Sequence, residues 1–556
     1  MARKKSADKS LFWADGIAQD VKLAVSKNNR LKAIVKKRGY LVYDEKTPSG
    51  KIHVGSGRGW VIHDAIAKAM RDNGMKGLFV LSSDDIDPLD KAIGLPGGFE
   101  KYLGIPFRDI PSPVKGYKSY ADYFFTQCTE KFEEFGIEAK LESTGEQYDK
   151  GTFNEAIKIA LSKADIIRGI YSKVYGKSVG AGKLPFNPVC EKCGKIGTTL
   201  AYEWDPEKEV VKYRCSPDLV SWAKGCGYEG EMSPYNGNGK LPWKVEWAAK
   251  WASKGVVCEL AGKDHFTVGG SRTVSIAISD QVYDFPPPYP STRTEIGRGY
   301  EFFNVGGKKM STSRGEGIGF VDVTDFAPAK MVRYLLVKTR PKAVIDFDPK
   351  RENDVILLYD RYDHTERVFF GKENVQEREA MNQKRIYELS HVGKISSRLP
   401  PQIPFTYAAM VAQIAKDDKE ALNMLQATGH ITKKASRAEI DHVMERLAYA
   451  GKWAKNYASE RYVIKLNDSV GKETKSKLSA SQKKALRSFA QGLGKARGEK
   501  DVKELCSKAA EMAGIKPQEF FRAAYMVLLG QEQGPRLAPF VLAAGRGKIL
   551  RLLKKI

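Results

Sequence analysis

The chain has 556 residues, 42% of them hydrophobic, and carries a formal net charge of +25. That length predicts three or four domains rather than one core, and the excess of Lys and Arg points to a polyanionic partner, nucleic acid ahead of an anionic membrane. No apolar run reaches membrane-span length and the basic start lacks the apolar core of a secretory signal, so a cytoplasmic protein is expected.

Residues 11–38 place Phe12, Ile17, Val21, Val25, Ile34 and Val35 at helical spacing and predict one amphipathic helix. From Val21 to Tyr43 there are seven Lys or Arg and no acid, a solvated face unless nucleic acid lies against it. Tyr40–Tyr43 reads as a short strand, and a loop rich in Thr, Pro, Ser and Gly follows. Beyond Arg58 the residues Val61, Ile62, Ala65, Ile66, Ala69 and Met70 again recur at helical spacing. Asn73-Gly74 ends that helix, and Leu78–Leu81 is a second buried strand. The unit is βαβ, and its first loop sets His53 among small residues, Ile52-His53-Val54-Gly55-Ser56. Such residues let the backbone approach a polyphosphate, which the helix N-terminus behind them favours. Ser83-Asp84-Asp85-Ile86-Asp87 begins where the second strand ends, the edge at which open parallel sheets bind ligands. These acids either face a cationic substrate or make an ordinary turn.

Glu155–Tyr175 predicts a second long helix through Ile159, Ile166, Ile167, Ile170 and Val174. Pro185–Pro234 is rich in turns and holds four of the seven Cys, a usage that fits a reducing compartment. Cys190, Cys193, Cys215 and Cys226 offer four thiolates for a tetrahedral structural zinc, the alternative being four unrelated thiols, with Gly194 and Gly227 after two of them as in a tight knuckle. The wide spacing of the second pair departs from a standard ribbon. Leu241–Ser279 returns to α/β composition, and Phe285–Pro290 and Thr292–Arg298 read as loop. Gly306–Gly315 is a glycine-flanked loop presenting Lys309 and several hydroxyls. Such a loop can close over a triphosphate and stabilise charge that develops during displacement. From about Lys350 the texture is helical, with periodic segments at 352–372, 406–427, 436–458, 481–494, 501–513 and 517–530. Lys472–Lys508 holds 11 Lys or Arg against 4 Asp or Glu, and Arg546–Ile556 holds five basic residues and no acid.

Taken together, Pro48-Ser49-Gly50-Lys51-Ile52-His53-Val54-Gly55-Ser56 resembles the first signature of class I aminoacyl-tRNA synthetases, HIGH. Lys309-Met310-Ser311-Thr312-Ser313 resembles the second, KMSKS. Within that class the chain is most similar to the class I lysyl-tRNA synthetases of archaeal type. Phe12-Trp13-Ala14-Asp15, Thr47, Ser83–Asp87, Pro242-Trp243, Gly262–His265, Gly269-Gly270-Ser271 and Tyr300–Phe302 extend the likeness over roughly the first 350 residues. The resemblance implies an α/β Rossmann-type catalytic domain with an inserted zinc-binding module, followed by a mostly α-helical anticodon-binding region. Its expected division is an N-terminal helical segment over 1–38, catalytic halves over 39–184 and 241–320 flanking a zinc insertion at 185–240, a connector over 321–350, and helices over 351–556.

The same resemblance implies an ATP-dependent lysine–tRNA ligase acting through lysyl-adenylate, with ATP and Mg²⁺, structural Zn²⁺, L-lysine and tRNA(Lys) as its ligands and no membrane. A synthetase for another amino acid such as glutamate, or a non-catalytic tRNA-binding paralogue, are the alternatives. His53 and Lys309 would be catalytic. ATP would meet Pro48, Ser49, Gly50, His53, Gly55, Ser56, Lys309, Met310, Ser311, Thr312 and Ser313. Lysine would meet Thr47, Trp243, Asp264, His265 and Tyr300, an aromatic face suiting its stem and ammonium. Ser56 and Thr312 stand where many class members have His and Lys, and Asp44-Glu45-Lys46 stand where this family usually has small residues. Those acids either turn outward or alter amino-acid binding. His63 reads as packing or surface, and His364, His391, His430 and His442 stand without a constellation.

Overall fold

A computed structural model describes residues 12–92, 97–176, 182–267, 269–291, 299–309, 318–351 and 353–556, with Lys309 described in its backbone only. Met310–Ser313 and Thr292–Arg298 therefore lie outside the described residues. The chain divides into two compact units: residues 1–323 with 332–346 and 376–394, and residues 324–331 with 347–375 and 395–556.

The first unit is built on four parallel strands, β1 (Tyr40–Lys46), β2 (Gly77–Ser83), β3 (Ala139–Ser143) and β4 (Val256–Cys258), in the order β3-β2-β1-β4. Val42, Tyr43, Val80, Leu81, Val256 and Val257 are buried, the apolar run expected of strands covered on both faces. β1 pairs with β2 from Tyr40↔Gly77 through Lys46↔Ser83. The expected loop at Asp44-Glu45-Lys46 is thus the end of the strand, and its charged side chains stand at the carboxyl edge of the sheet. The crossover helix Val54–Asp72 is buried along most of its length. Within it, Asp64 accepts the Glu138 amide at 2.9 Å and pairs with Arg333 at 2.5 Å.

Two expected long helices are each broken. Residues 11–38 form Trp13–Ser26 and Asn29–Arg38, because the Asn28 side chain caps the second by accepting from the Leu31 amide. Residues 155–175 form Asn154–Ser162 and Ala164–Tyr175, parted at Lys163 (φ −109°, ψ 26°), whose ammonium donates to the Val282 carbonyl at 2.6 Å. The Cys-rich stretch forms a three-stranded antiparallel sheet (Thr199–Asp205, Val210–Cys215, Glu229–Met232) and a short ladder between Asn187–Pro188 and Gly239–Lys240.

The second unit is helical, and no strand occurs among its described residues. Asp354–Phe369, Arg437–Asn456, Ala480–Leu493, Glu499–Met512 and Pro517–Leu529 match expected periodic segments. The segment 406–427 is two helices, Phe405–Ile414 and Asp418–Ala427, because Asp417 caps the second through the Glu420 amide. Arg446 and Asp363 form a bidentate pair at 2.6 and 2.7 Å inside this unit.

Candidate active site

A cavity of about 550 Å³ opens at the carboxyl edge of the parallel sheet. One wall continues β1 through Asp44, Glu45, Lys46 and Thr47, and a second is the start of the crossover helix with His53, Gly55, Ser56 and Trp60. Opposite stand Trp243, Trp247 and His265, and the floor carries Glu259 to Gly262 with Tyr300 to Phe303. Of the residues expected at ATP, His53, Gly55 and Ser56 line this space; Pro48 is buried beside it, Ser49 is exposed and Gly50 has φ +148°. All five residues expected at lysine line it: Thr47, Trp243, Asp264, His265 and Tyr300.

The aromatic wall is a fixed stack. Trp243 lies against Trp247 with centroids 5.5 Å apart, and the His265 ring meets both edge-on at 5.7 and 5.6 Å. Trp243 remains 42% exposed, leaving one indole face open. Burial lowers the His265 pKa, so its imidazole is neutral near pH 7. Tyr300 is tied to the chain after β4, its amide donating to Ala261 O at 3.0 Å while its own carbonyl accepts from the Lys263 amide at 3.0 Å. The phenol reaches the crossover helix at Gly59, where a Cβ would lie 2.7 Å from the Tyr300 hydroxyl oxygen.

The chain that follows the second motif is tied to the first motif. The Val54 amide donates to Ile318 O at 3.0 Å, the Phe320 amide to Ile52 O at 2.9 Å, and Lys51 pairs with Asp322 at 2.6 Å. Gly57 admits this approach, since a Cβ there would come within 2.0 Å of the Phe320 ring. On the other side, Lys309 closes a hairpin against Asn304, joining Phe303–Val305 to Lys308–Lys309. Buried Arg58 braces the chain entering that hairpin, donating to the carbonyls of Glu301, Phe302, Arg340, Pro341 and Ala343 at 2.6–3.3 Å. Both chain ends of the second motif thus converge on the start of the crossover helix.

Behind β1 lies a buried charge network that sequence reasoning missed. Lys240 donates to Asp84 at 3.0 Å and Asp87 at 2.5 Å and lies 3.3 Å from Glu246. Lys250 donates to Glu246 at 2.9 Å and to Glu45, which also accepts from Thr144 at 2.7 Å. Four carboxylates therefore share two ammonium groups. Burial lifts Glu45 to about 8 and Asp87 to about 7, whereas Lys240 outweighs burial at Asp84 and holds it low. Glu246 and Lys250 are four apart on one helix, a spacing that ordinarily marks a surface pair, yet both are buried. His63, expected as packing or surface, is buried and pins the crossover helix to the chain after β4: its Nε2 accepts from the Leu260 amide at 2.9 Å, so Nδ1 carries the proton and donates to Gly59 O at 2.8 Å.

In the Cys-rich module the sulfurs of Cys190, Cys193, Cys215 and Cys226 lie within 4.8 Å of one another. Cys190–Cys226 and Cys193–Cys215 are 3.6 and 3.7 Å apart, near the ~3.8 Å edge of a tetrahedron with metal–sulfur bonds of about 2.3 Å. Gly194 and Gly227 take φ +71° and +77°, the turns that aim such knuckles inward.

A family model described as tRNA synthetases class I (K) matches residues 11–393. The lysine–tRNA ligase of Methanocaldococcus jannaschii is 33% identical over 558 residues, covering 97% of this chain and 99% of that protein. Those of Methanococcus maripaludis and Archaeoglobus fulgidus are 33% and 31% identical, each over 96% of this chain and 97% and 98% of their own lengths.

Proposed function

This chain belongs to the class I tRNA synthetases of the lysine type, and we propose that its cavity joins L-lysine to ATP as lysyl-adenylate before the lysyl group passes to tRNA. The carrying observation is one continuous space that puts a helix N-terminus with His53 at one side and the Trp243–Trp247–His265 wall with carboxylates at the other. The helix end and His53 suit the triphosphate. The open indole face of Trp243 suits an aliphatic stem ending in an ammonium. A glutamate-specific cavity needs a cation for the substrate's side-chain carboxylate, and no arginine lines the space among the described residues.

Catalysis in this reading is positioning plus electrostatics. The lysine carboxylate attacks the α-phosphorus and pyrophosphate departs, with His53 and Lys309 holding phosphate oxygens and no covalent enzyme intermediate. Magnesium accompanies ATP as it does in phosphoryl chemistry generally. Zinc is the ion that four thiolates at the observed sulfur separations fit, and its role is to fold the module rather than to react. The helical unit serves tRNA(Lys): Lys472, Lys484, Lys495, Arg497, Lys500 and Lys508 are exposed and available to phosphates. No described helix is long and apolar enough to cross a membrane, and we assign the enzyme to the cytoplasm, where its tRNA is charged.

The test is ATP–pyrophosphate exchange across a panel of amino acids, with and without tRNA. Exchange with lysine alone is the expected result. Exchange with a different amino acid would reassign the specificity, and none with any amino acid would leave the tRNA-binding paralogue.

A further inference from the structure

Seven carboxyl side chains line the cavity among the described residues: Asp44, Glu45, Asp84, Asp87, Glu259, Asp264 and Glu301. Among the described residues the lining holds one lysine or arginine, Lys46. Lysines outside the lining pair with several of these acids, Lys240 with Asp84 and Asp87, Lys250 with Glu45 and Lys263 with Glu301 at 2.6 Å. Lys46 is the cation that the described lining itself presents to a ligand.

Lys46 is the last residue of β1, one residue before Thr47 and the loop that leads to His53. Lys240, Lys250 and Lys254, the neighbouring buried or nearly buried lysines, each reach a carboxylate. The Lys46 carbonyl accepts from the Asp84 amide at 3.0 Å, but its ammonium has no hydrogen bond or ion pair to any described residue; Asp44 acts on it only through space. The oxygens of Asp44 are already engaged, one by the Glu45 amide at 2.9 Å and the other by His63 at 3.3 Å. Burial accordingly weakens the hold of Lys46 on its proton. An ammonium placed in a cavity without a partner costs free energy until an anion arrives to pair with it.

The adenylation reaction brings two anions to this edge of the sheet, the amino-acid carboxylate and the α-phosphate, and they must approach each other despite their like charge. We propose that Lys46 is a catalytic residue that bridges the substrate carboxylate and the α-phosphate of ATP, offsetting their repulsion as they meet. During the step a carboxylate oxygen forms a bond to the α-phosphorus. The bond from that phosphorus to the bridging oxygen of pyrophosphate breaks, and pyrophosphate leaves with its electron pair. Lys46 keeps its proton throughout and acts by charge. His53 and Lys309 belong to the departing end, whereas Lys46 belongs to the attacking end. This role rests on the reading of the cavity as the site of lysyl-adenylate formation.

The experiment compares the full-length wild type with Lys46→Met and Lys46→Arg. It reads lysine-dependent pyrophosphate exchange across pH, with lysine affinity measured separately by calorimetry. Lys46→Met should lower kcat by about 10²–10³-fold, the loss typical of removing one preorganised group from a developing charge, while lysine affinity changes less than about threefold. Lys46→Arg should keep activity within about tenfold of wild type. It should also extend the alkaline limb of the pH profile, because a guanidinium holds its proton more tightly than an ammonium whose pKa burial lowers. A Lys46→Met enzyme within about threefold of wild-type kcat overturns the role. So does an equal loss in lysine affinity and kcat/KM with kcat unchanged, which would make Lys46 a ground-state contact. An alkaline limb that ignores Lys46→Arg also counts against it, and that readout does not depend on the methionine variant folding. Absence of lysine-dependent exchange in the wild type is a different result: it removes the reading of the cavity itself, and this role with it.

Discussion

Replacing Gly59 by alanine should separate stability from substrate recognition. Gly59 faces Tyr300 from the crossover helix, and a Cβ there would lie 2.7 Å from the phenol oxygen and 3.3 Å from an Asp44 carboxylate oxygen. Ordinary contact begins at 3.4 Å, so the phenol must retreat by roughly 0.7 Å. Alanine gains about 0.8–1 kcal/mol of helix propensity over glycine, against about 1–3 kcal/mol for overpacking. The net cost to the fold is then about 0–2 kcal/mol, small enough for the protein to remain folded. Recognition fares worse, because Tyr300 and Asp44 both line the cavity and move together. We expect lysine affinity to fall about tenfold, equivalent to about 1.4 kcal/mol, while ATP affinity stays within about twofold. Calorimetric titration of each ligand reads this directly. Tyr300→Phe removes the offending oxygen and leaves a ring carbon at 3.2 Å as the nearest atom of that side chain. The double variant should therefore bind lysine no worse than Tyr300→Phe alone, a non-additivity that a double-mutant cycle measures. Wild-type lysine affinity in Gly59→Ala, or strictly additive losses in the double variant, would refute the reasoning.

Three further outcomes follow from the same geometry. Lys309→Ala should slow adenylate formation far more than it weakens lysine binding, and equal losses in single-turnover kinetics and calorimetry would deny it a transition-state role. Lysine affinity should rise with pH and level off near 8: a bound ammonium favours ionised carboxylates, Glu45 and Asp87 hold protons up to about 8 and about 7, and each displaced proton costs up to tenfold in affinity per pH unit below its pKa. A flat calorimetric profile from pH 6 to 9, or one no flatter in Glu45→Gln, would argue that these acids stay out of the binding equilibrium. Metal analysis of purified protein should find about one zinc per chain, lost in Cys193→Ser together with resistance of the 185–240 segment to proteolysis; a metal-free wild type would remove the zinc assignment.

Much of the catalytic framework was legible because it is written locally. The βαβ unit announces itself through the apolar run of β1, the periodic helix after Arg58 and the stop at Asn73-Gly74. The four Cys of the module share one short stretch, and their glycines mark the turns. Helix breaks were less visible, since Asn28 and Asp417 cap helices inside segments whose apolar spacing continues across the break. A single side-chain hydrogen bond to a backbone amide decides each of those boundaries, and hydrophobic periodicity does not register it.

The charged residues at the site are the least legible in the sequence, and for a different reason. Pattern reasoning assigns a charge to solvent unless a partner is in view, and here the partners come from distant parts of the chain. Lys250 sits 205 residues from Glu45, and Lys240 lies 156 from Asp84. Arg58 reaches carbonyls more than 240 residues away. The same bias turned Asp44-Glu45-Lys46 into an apparent loop, although the sheet carries them to its edge as strand. At that edge their different fates follow from supply. Asp44 and Glu45 find His63, Lys250 and Thr144 behind the strand, so folding offsets much of their burial cost. Lys46 finds no such partner among the described residues, and its desolvation is left for a ligand to relieve. A binding site can thus be located by asking which partly buried charge the fold has not neutralised, a quantity that belongs to the assembled edge and to no single stretch of sequence.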